Sequence, residues 1–183
     1  PSLVSAIPFR LGRRGHNGRC RSAVQERVLG RRYTDCLSVI LVCMPIEDAD
    51  GLRRILGYDR IAVVGASTAY EKAAHIVPAY LQRHGYEIRP VNPTADEIFG
   101  EQAFDSLAAV SKSVDVVEIF RPSEEVPEIV DEALTRDDVN AIWMQPGIRN
   151  DRAAMKAEAA GLDVVQDRCM KVEHGQLIRN PMN

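Results

Sequence analysis

Short apolar runs alternate along the chain with longer stretches whose apolar positions recur at helical spacing. "RIAVVG" (60–65) is continuously apolar and ends in Gly, which marks a strand buried on both faces. Asp48 or Asp50 is placed to cap a short helix ahead of it, ending at Leu56. From Tyr70 to His84, Ala73, Ile76, Val77, Ala79, Tyr80 and Leu81 form one helical stripe. Pro78 interrupts the stripe and is expected to kink or split that helix, because it supplies no N–H. Gly85 is expected to close the helix in a left-handed conformation, and "YEIRPVNP" follows as the second strand.

The alternation then repeats. "FDSLAAV" predicts a short helix, "SVDVVEIF" a third strand, and "PSEEVPEIVDEALTR" a helix with Ser123 at the capping position. "NAIWMQ" predicts the fourth strand, "NDRAAMKAEAAG" a helix stopped by Gly161, and "LDVVQD" the fifth strand. Strands separated by helices of this length require crossover connections. The expected fold is therefore α/β: a Rossmann-like, doubly wound, mainly parallel five-stranded sheet with helices on both faces. In such sheets ligands bind beyond the carboxyl ends of the strands, which directs attention to the turns that follow each strand.

Composition divides the chain. Before Met44 there are eight arginines opposed by Glu26 and Asp35, in a chain of formal net charge −3, so the remainder is acidic. The same segment carries Cys20, Cys36 and Cys43, and the body only Cys169. A targeting peptide and a nucleic-acid arm are the competing readings of residues 1–43, and both are weakly supported: Leu37–Cys43 is short and lacks a small-residue cleavage pattern, and the arginines have no interleaved aromatics. The segment reads as a disordered or spurious extension, and residues 44–183 as one domain. No apolar run approaches the ~18–20 residues that span a bilayer. Neither nucleic acid nor membrane is expected as a partner, and one cysteine in the body suits a cytoplasmic setting.

Gly65, Ala66 and Ser67 form the turn after the first strand, and Lys72 falls in the first turn of the next helix. A glycine turn followed by a helix N-terminus offers unpaired N–H groups and a positive dipole end to phosphate. A dinucleotide site places an acid about 20 residues further on, to accept from ribose hydroxyls. Here that position reads Arg89, Pro90, Val91, Asn92, Pro93. The missing acid and the missing second and third glycines argue against NAD, while Arg89 would suit a ribose phosphate.

"VVGAS…K", "GYEIRPVNP", "EIFGEQAFDSL", "VDVVEIFRPSE", "WMQPGI" and "AGLDVVQDRCMKVEH", spanning about Gly57 to His174, together resemble the small stand-alone CoA-binding proteins. These are relatives of the CoA-binding domain of succinate–CoA ligase alpha subunits. The resemblance implies coenzyme A, or an acyl-CoA, held across the strand ends. Gly65, Ala66, Ser67 and Lys72 would cradle phosphates, and Val91, Asn92 and Pro93 would lie against the adenosine end. Phe120, Arg121, Pro122 and Ser123 would flank the pantetheine or diphosphate, with Gln145, Gly147 and Ile148 closing the other side. Two departures stand out: "SKSVDVV" lacks the family's usual proline before the strand, and Pro146 replaces the more usual Leu between Gln145 and Gly147, removing an N–H.

The family's ligase relatives relay phosphate through a histidine in a further domain, which nothing in this chain matches. His75 reads as a packed or surface residue. Cys169 and His174 in "DRCMKVEH" have no third orienting group at recognisable spacing, although a thiol near bound CoA is chemically able to form a mixed disulfide with it. The sequence therefore points to a non-catalytic carrier or regulatory module that binds CoA, with an oligomer or partner chain left open. An NAD(P)-binding oxidoreductase or redox sensor, and a CoA-ligase subunit needing a catalytic partner, are the alternatives.

Overall fold

The computed structural model describes residues 45–179. The basic segment 1–43 and Met44 lie outside the described residues. Helix α1 (Ala49–Leu56) begins at Asp48, whose carboxylate accepts the N–H groups of Asp50 and Gly51. Five strands, β1 (Arg60–Val64), β2 (Glu87–Val91), β5 (Val116–Ile119), β6 (Ala141–Met144) and β7 (Asp163–Val165), form one sheet. Its order is β2-β1-β5-β6-β7, and every pairing is parallel. The chain leaves β1 toward β2 on one side, and β5 then pairs on the other side. The carboxyl end of β1 is therefore the switch point where a crevice opens.

Alternating side chains feed two cores. Ala62, Val64, Val117, Ile119, Ile142 and Met144 pack under helices α3 (Val126–Leu134) and α4 (Asp151–Ala159). Ile61, Val63, Val116, Ala141 and Trp143 pack under α1, α2 (Ala73–Arg83) and the short α5 (Met170–His174). Trp143 is fully buried, and its indole N–H donates to the Arg168 carbonyl at 2.7 Å, so burial leaves that donor satisfied. Gly85 and Gly161 both take positive φ at the ends of their helices, as their positions predict.

Four local expectations change. Helix α2 starts at Ala73 rather than Tyr70, which puts Lys72 at the N-cap, and Pro78 lies inside α2 without splitting it. "FDSLAAV" forms turns, not a helix: the Ser106 hydroxyl accepts the Ala109 N–H, and Glu132 accepts that of Ala108. Such local side-chain bonds compete with helix formation. Ser123 does not cap α3. Its hydroxyl accepts the Arg149 N–H and its carbonyl accepts from Asn150, tying the β5 loop to the β6 loop. Finally, β3 (Glu97–Ile98) and β4 (Glu101–Gln102) make a small hairpin that the apolar pattern does not announce.

Candidate functional site

A cavity of about 510 Å³ opens at the carboxyl ends of β1, β2 and β5. Its floor is the β1 turn, with Gly65, Ala66 and Ser67, and Lys72 stands at its edge. Val91, Asn92 and Pro93 line it from the end of β2, and Phe120 and Arg121 from the end of β5. Nine of the fourteen residues that the resemblance assigns to the ligand thus meet on one cavity. The other five, Pro122, Ser123, Gln145, Gly147 and Ile148, are not on its lining. Gln145 is buried and donates to Glu118 at 2.6 Å, the Gly147 N–H donates to Asp167, and Ile148 packs against the α3–α4 core. Arg89 is also absent from the lining; it is buried in β2 and paired with Glu87.

The turn is braced from several sides. The Gly65 N–H continues the ladder by donating to the Val91 carbonyl at 3.0 Å, and the Ser67 N–H donates to the Ala74 carbonyl at 3.2 Å. Asn92 Nδ2 donates to the Ala66 carbonyl at 2.8 Å, while Asn92 Oδ1 accepts both the N–H and the hydroxyl of Thr94. Asn92 therefore clamps the β1 turn to the β2 turn. His75 Nδ1 lies 2.7 Å from the Ser67 carbonyl, an acceptor, so this nitrogen carries the proton. The His75 ring is packed between Tyr70 and Phe99 behind the turn, off the cavity lining.

Those bonds determine what is left for a ligand. The N–H groups of Ala66 and of Ala74 in the first turn of α2 find no acceptor among the described residues. No acid stands in that first turn, and Lys72 forms no ion pair among the described residues. Unused donors, a helix N-terminus and an unpaired ammonium group converge on one wall, an arrangement suited to an anion.

The lining also carries carboxylates that the sequence reading does not assign to it. Asp105 comes from the turn beside β2, and Glu125, Glu128 and Glu132 come from α3 and its N-cap. In sequence the three glutamates form a legible stripe at helical spacing, but only the sheet order shows that the stripe faces the cavity. Asp105 arrives through the bridge between Val91 and Phe104, which no periodicity announces. The end of β2 lacks an acid, as expected, yet the cavity as a whole does not.

Cys169 is a free, partly buried thiol at the N-cap of α5, outside the cavity lining. Burial lowers the pKa of His174, whose Nδ1 meets the Tyr80 hydroxyl at 3.1 Å. The structure pairs His174 with Tyr80, not with Cys169. Among the described residues no group of three or more His, Cys, Asp or Glu could hold a metal ion, and no helix is long and apolar enough to cross a membrane.

The fold defines a Rossmann-like domain with a glycine turn at its switch point. Residues 59–175 match the family described as CoA binding domain, and the chain belongs to that family. It is similar to the uncharacterized protein YneT of Bacillus subtilis, 41% identical over 115 residues that cover 63% of this chain and 84% of that protein. It is also 32% identical over 72 residues to an ADP-forming acetate–CoA ligase of Methanocaldococcus jannaschii, covering 39% of this chain and only 10% of the ligase. Among solved structures, a hypothetical protein from Pyrococcus horikoshii superposes with TM-score 0.69 at 35% identity, covering 74% of this chain and 96% of the other.

Proposed function

We propose that the cavity binds coenzyme A or an acyl-CoA, and that the chain is a carrier or regulatory module without chemistry of its own. The observation that carries this reading is the convergence of Lys72, the Ala66 N–H and the open N-terminus of α2 on one cavity wall, in a chain of the CoA binding domain family. Lys72 and the two backbone donors would hold phosphate oxygens. Val91, Pro93 and Thr94 would receive the adenosine end, and Phe120 would offer apolar surface to the pantetheine. Among the described residues, the ionisable side chains on the lining are Lys72, Arg121 and four carboxylates, with no imidazole or thiol. A cytoplasmic setting agrees with Cys169 being a free thiol among the described residues.

A second reading, a ligase component that needs a catalytic partner chain, is supported by the similarity to the acetate–CoA ligase, of which this chain matches about a tenth. Titration calorimetry with CoA, acetyl-CoA, NADH and NADPH tests the first reading. CoA or acetyl-CoA should bind more tightly than either nicotinamide cofactor. Tighter NADPH binding would replace the reading, and CoA-dependent turnover by the isolated chain would remove its non-catalytic part.

A further inference from the structure

The Arg121 side chain lies across the glycine turn. A Cβ added at Gly65 would stand 2.8 Å from Arg121 Cδ and 3.2 Å from its Cγ, so the arginine stem packs directly on the Gly65 Cα. Its charged end is engaged elsewhere. Nε donates to one Glu125 oxygen at 2.7 Å and Nη2 to the other at 3.0 Å, a two-pronged pair. Glu125 occupies the N-cap of α3, where a carboxylate commonly accepts backbone N–H groups, yet its side chain makes no capping bond. Both residues line the cavity, and their side chains are 48% and 39% exposed, so water can reach the pair and the pairing is exchangeable.

The charge count gives this pair a consequence. Lys72 and Arg121 are the cations on the lining, against Asp105, Glu125, Glu128 and Glu132. While Glu125 neutralises Arg121, the wall presented to a diphosphate is acidic apart from Lys72. We propose that Glu125 is a competing anion that latches Arg121 across the turn, so that a diphosphate ligand binds by taking the guanidinium from the carboxylate. The latch sets the affinity and selectivity of the same cavity, and so rests on its reading as a CoA site. A ligand with one weak negative charge leaves the pair closed, whereas a diphosphate offers the fork-shaped guanidinium an equivalent set of oxygens at higher charge.

Calorimetric titration of CoA into the full chain and into Glu125→Gln, Arg121→Ala and the double variant tests the latch. An exposed pair of this kind is worth little on its own, so Glu125→Gln should tighten CoA binding about two- to fivefold. Arg121→Ala should weaken it, and in that background the additional Glu125→Gln change should have no effect, because the carboxylate acts through the guanidinium. No tightening in Glu125→Gln, with wild-type binding intact, overturns the latch and leaves the cavity reading standing. Equal tightening with and without Arg121 also overturns it, in favour of plain charge repulsion. Failure of CoA to bind both the wild type and Glu125→Gln removes the cavity reading and the latch together.

Discussion

Ser67 and Ala74 are joined backbone to backbone, the Ser67 N–H donating to the Ala74 carbonyl at 3.2 Å. In an unbroken helix that carbonyl would accept the N–H of residue 78, which here is Pro78. The proline leaves an acceptor open in the first turn of α2, and the glycine turn fills it. With Asn92 on the Ala66 carbonyl and His75 on the Ser67 carbonyl, the turn is held in shape before any ligand arrives. A preorganised site loses less conformational freedom on binding.

Pro78→Ala restores a competing donor. Helix α2 should gain an internal hydrogen bond at the expense of the bond from Ser67, and the turn should loosen. The expected result is faster amide exchange at Ser67 and CoA binding weakened by roughly 1 kcal/mol, the size of one hydrogen bond. Unchanged exchange at Ser67 would show that the turn does not depend on the proline.

Lys72→Ala tests the phosphate wall. The ammonium group is exposed, so its contribution is discounted for solvent, and a loss of about 1–2 kcal/mol in CoA affinity is expected. The remaining affinity should depend less steeply on salt, because one fewer cation meets the ligand. Lys72→Arg should recover most of the loss. Equal affinity in all three proteins would place the phosphates elsewhere.

The main strands were legible because each is buried on both faces and reads as an apolar run between turn residues. The β1 turn was legible too, since Gly65 at φ 89 needs a residue tolerant of that conformation. The β3–β4 hairpin was not, because its two-residue turn uses Phe99 at φ 60 before Gly100 instead of the Asn-Gly or Asp-Gly such turns favour. Glu118 reads in sequence as one polar position in an apolar strand; its complete burial depends on the helices packed above the sheet. The resemblance places Gln145 beside the ligand, and its side chain answers that buried carboxyl. A linear pattern shows which groups are polar, but the neighbour each one meets is set by sheet order and helix packing.

Gly65→Ala and Gly85→Ala separate two penalties. Both glycines have positive φ, 89° and 97°, a conformation that costs an L-residue about 1 kcal/mol or somewhat more. At Gly85 an added Cβ meets nothing within 4 Å, whereas at Gly65 it stands 3.1 Å from the Phe120 carbonyl as well as against Arg121. Gly85→Ala should therefore lower unfolding free energy by about 1 kcal/mol without touching CoA affinity. Gly65→Ala should lose more, roughly 2–3 kcal/mol, and weaken CoA binding. Equal losses in denaturant titrations would mean that Arg121 and Phe120 yield freely.

Glu118 makes stability depend on pH. Its side chain is fully buried, Oε1 accepts from Gln145 Nε2 at 2.6 Å, and Oε2 has no partner among the described residues. Burial pushes its carboxyl from 4.5 up to about 8, against a smaller lowering by Gln145. Below 4.5 the group is protonated in both states and contributes no slope. Between 4.5 and about 8 the unfolded chain gives up this proton while the folded protein keeps it, so stability falls as pH rises, by at most about 1.4 kcal/mol per pH unit. Glu118→Gln removes the titrating proton and keeps an amide of similar shape. Its stability relative to the wild type should therefore improve steadily from pH 5 to pH 8 in urea titrations. A difference that stays constant over that range would show that the folded protein holds Glu118 ionised.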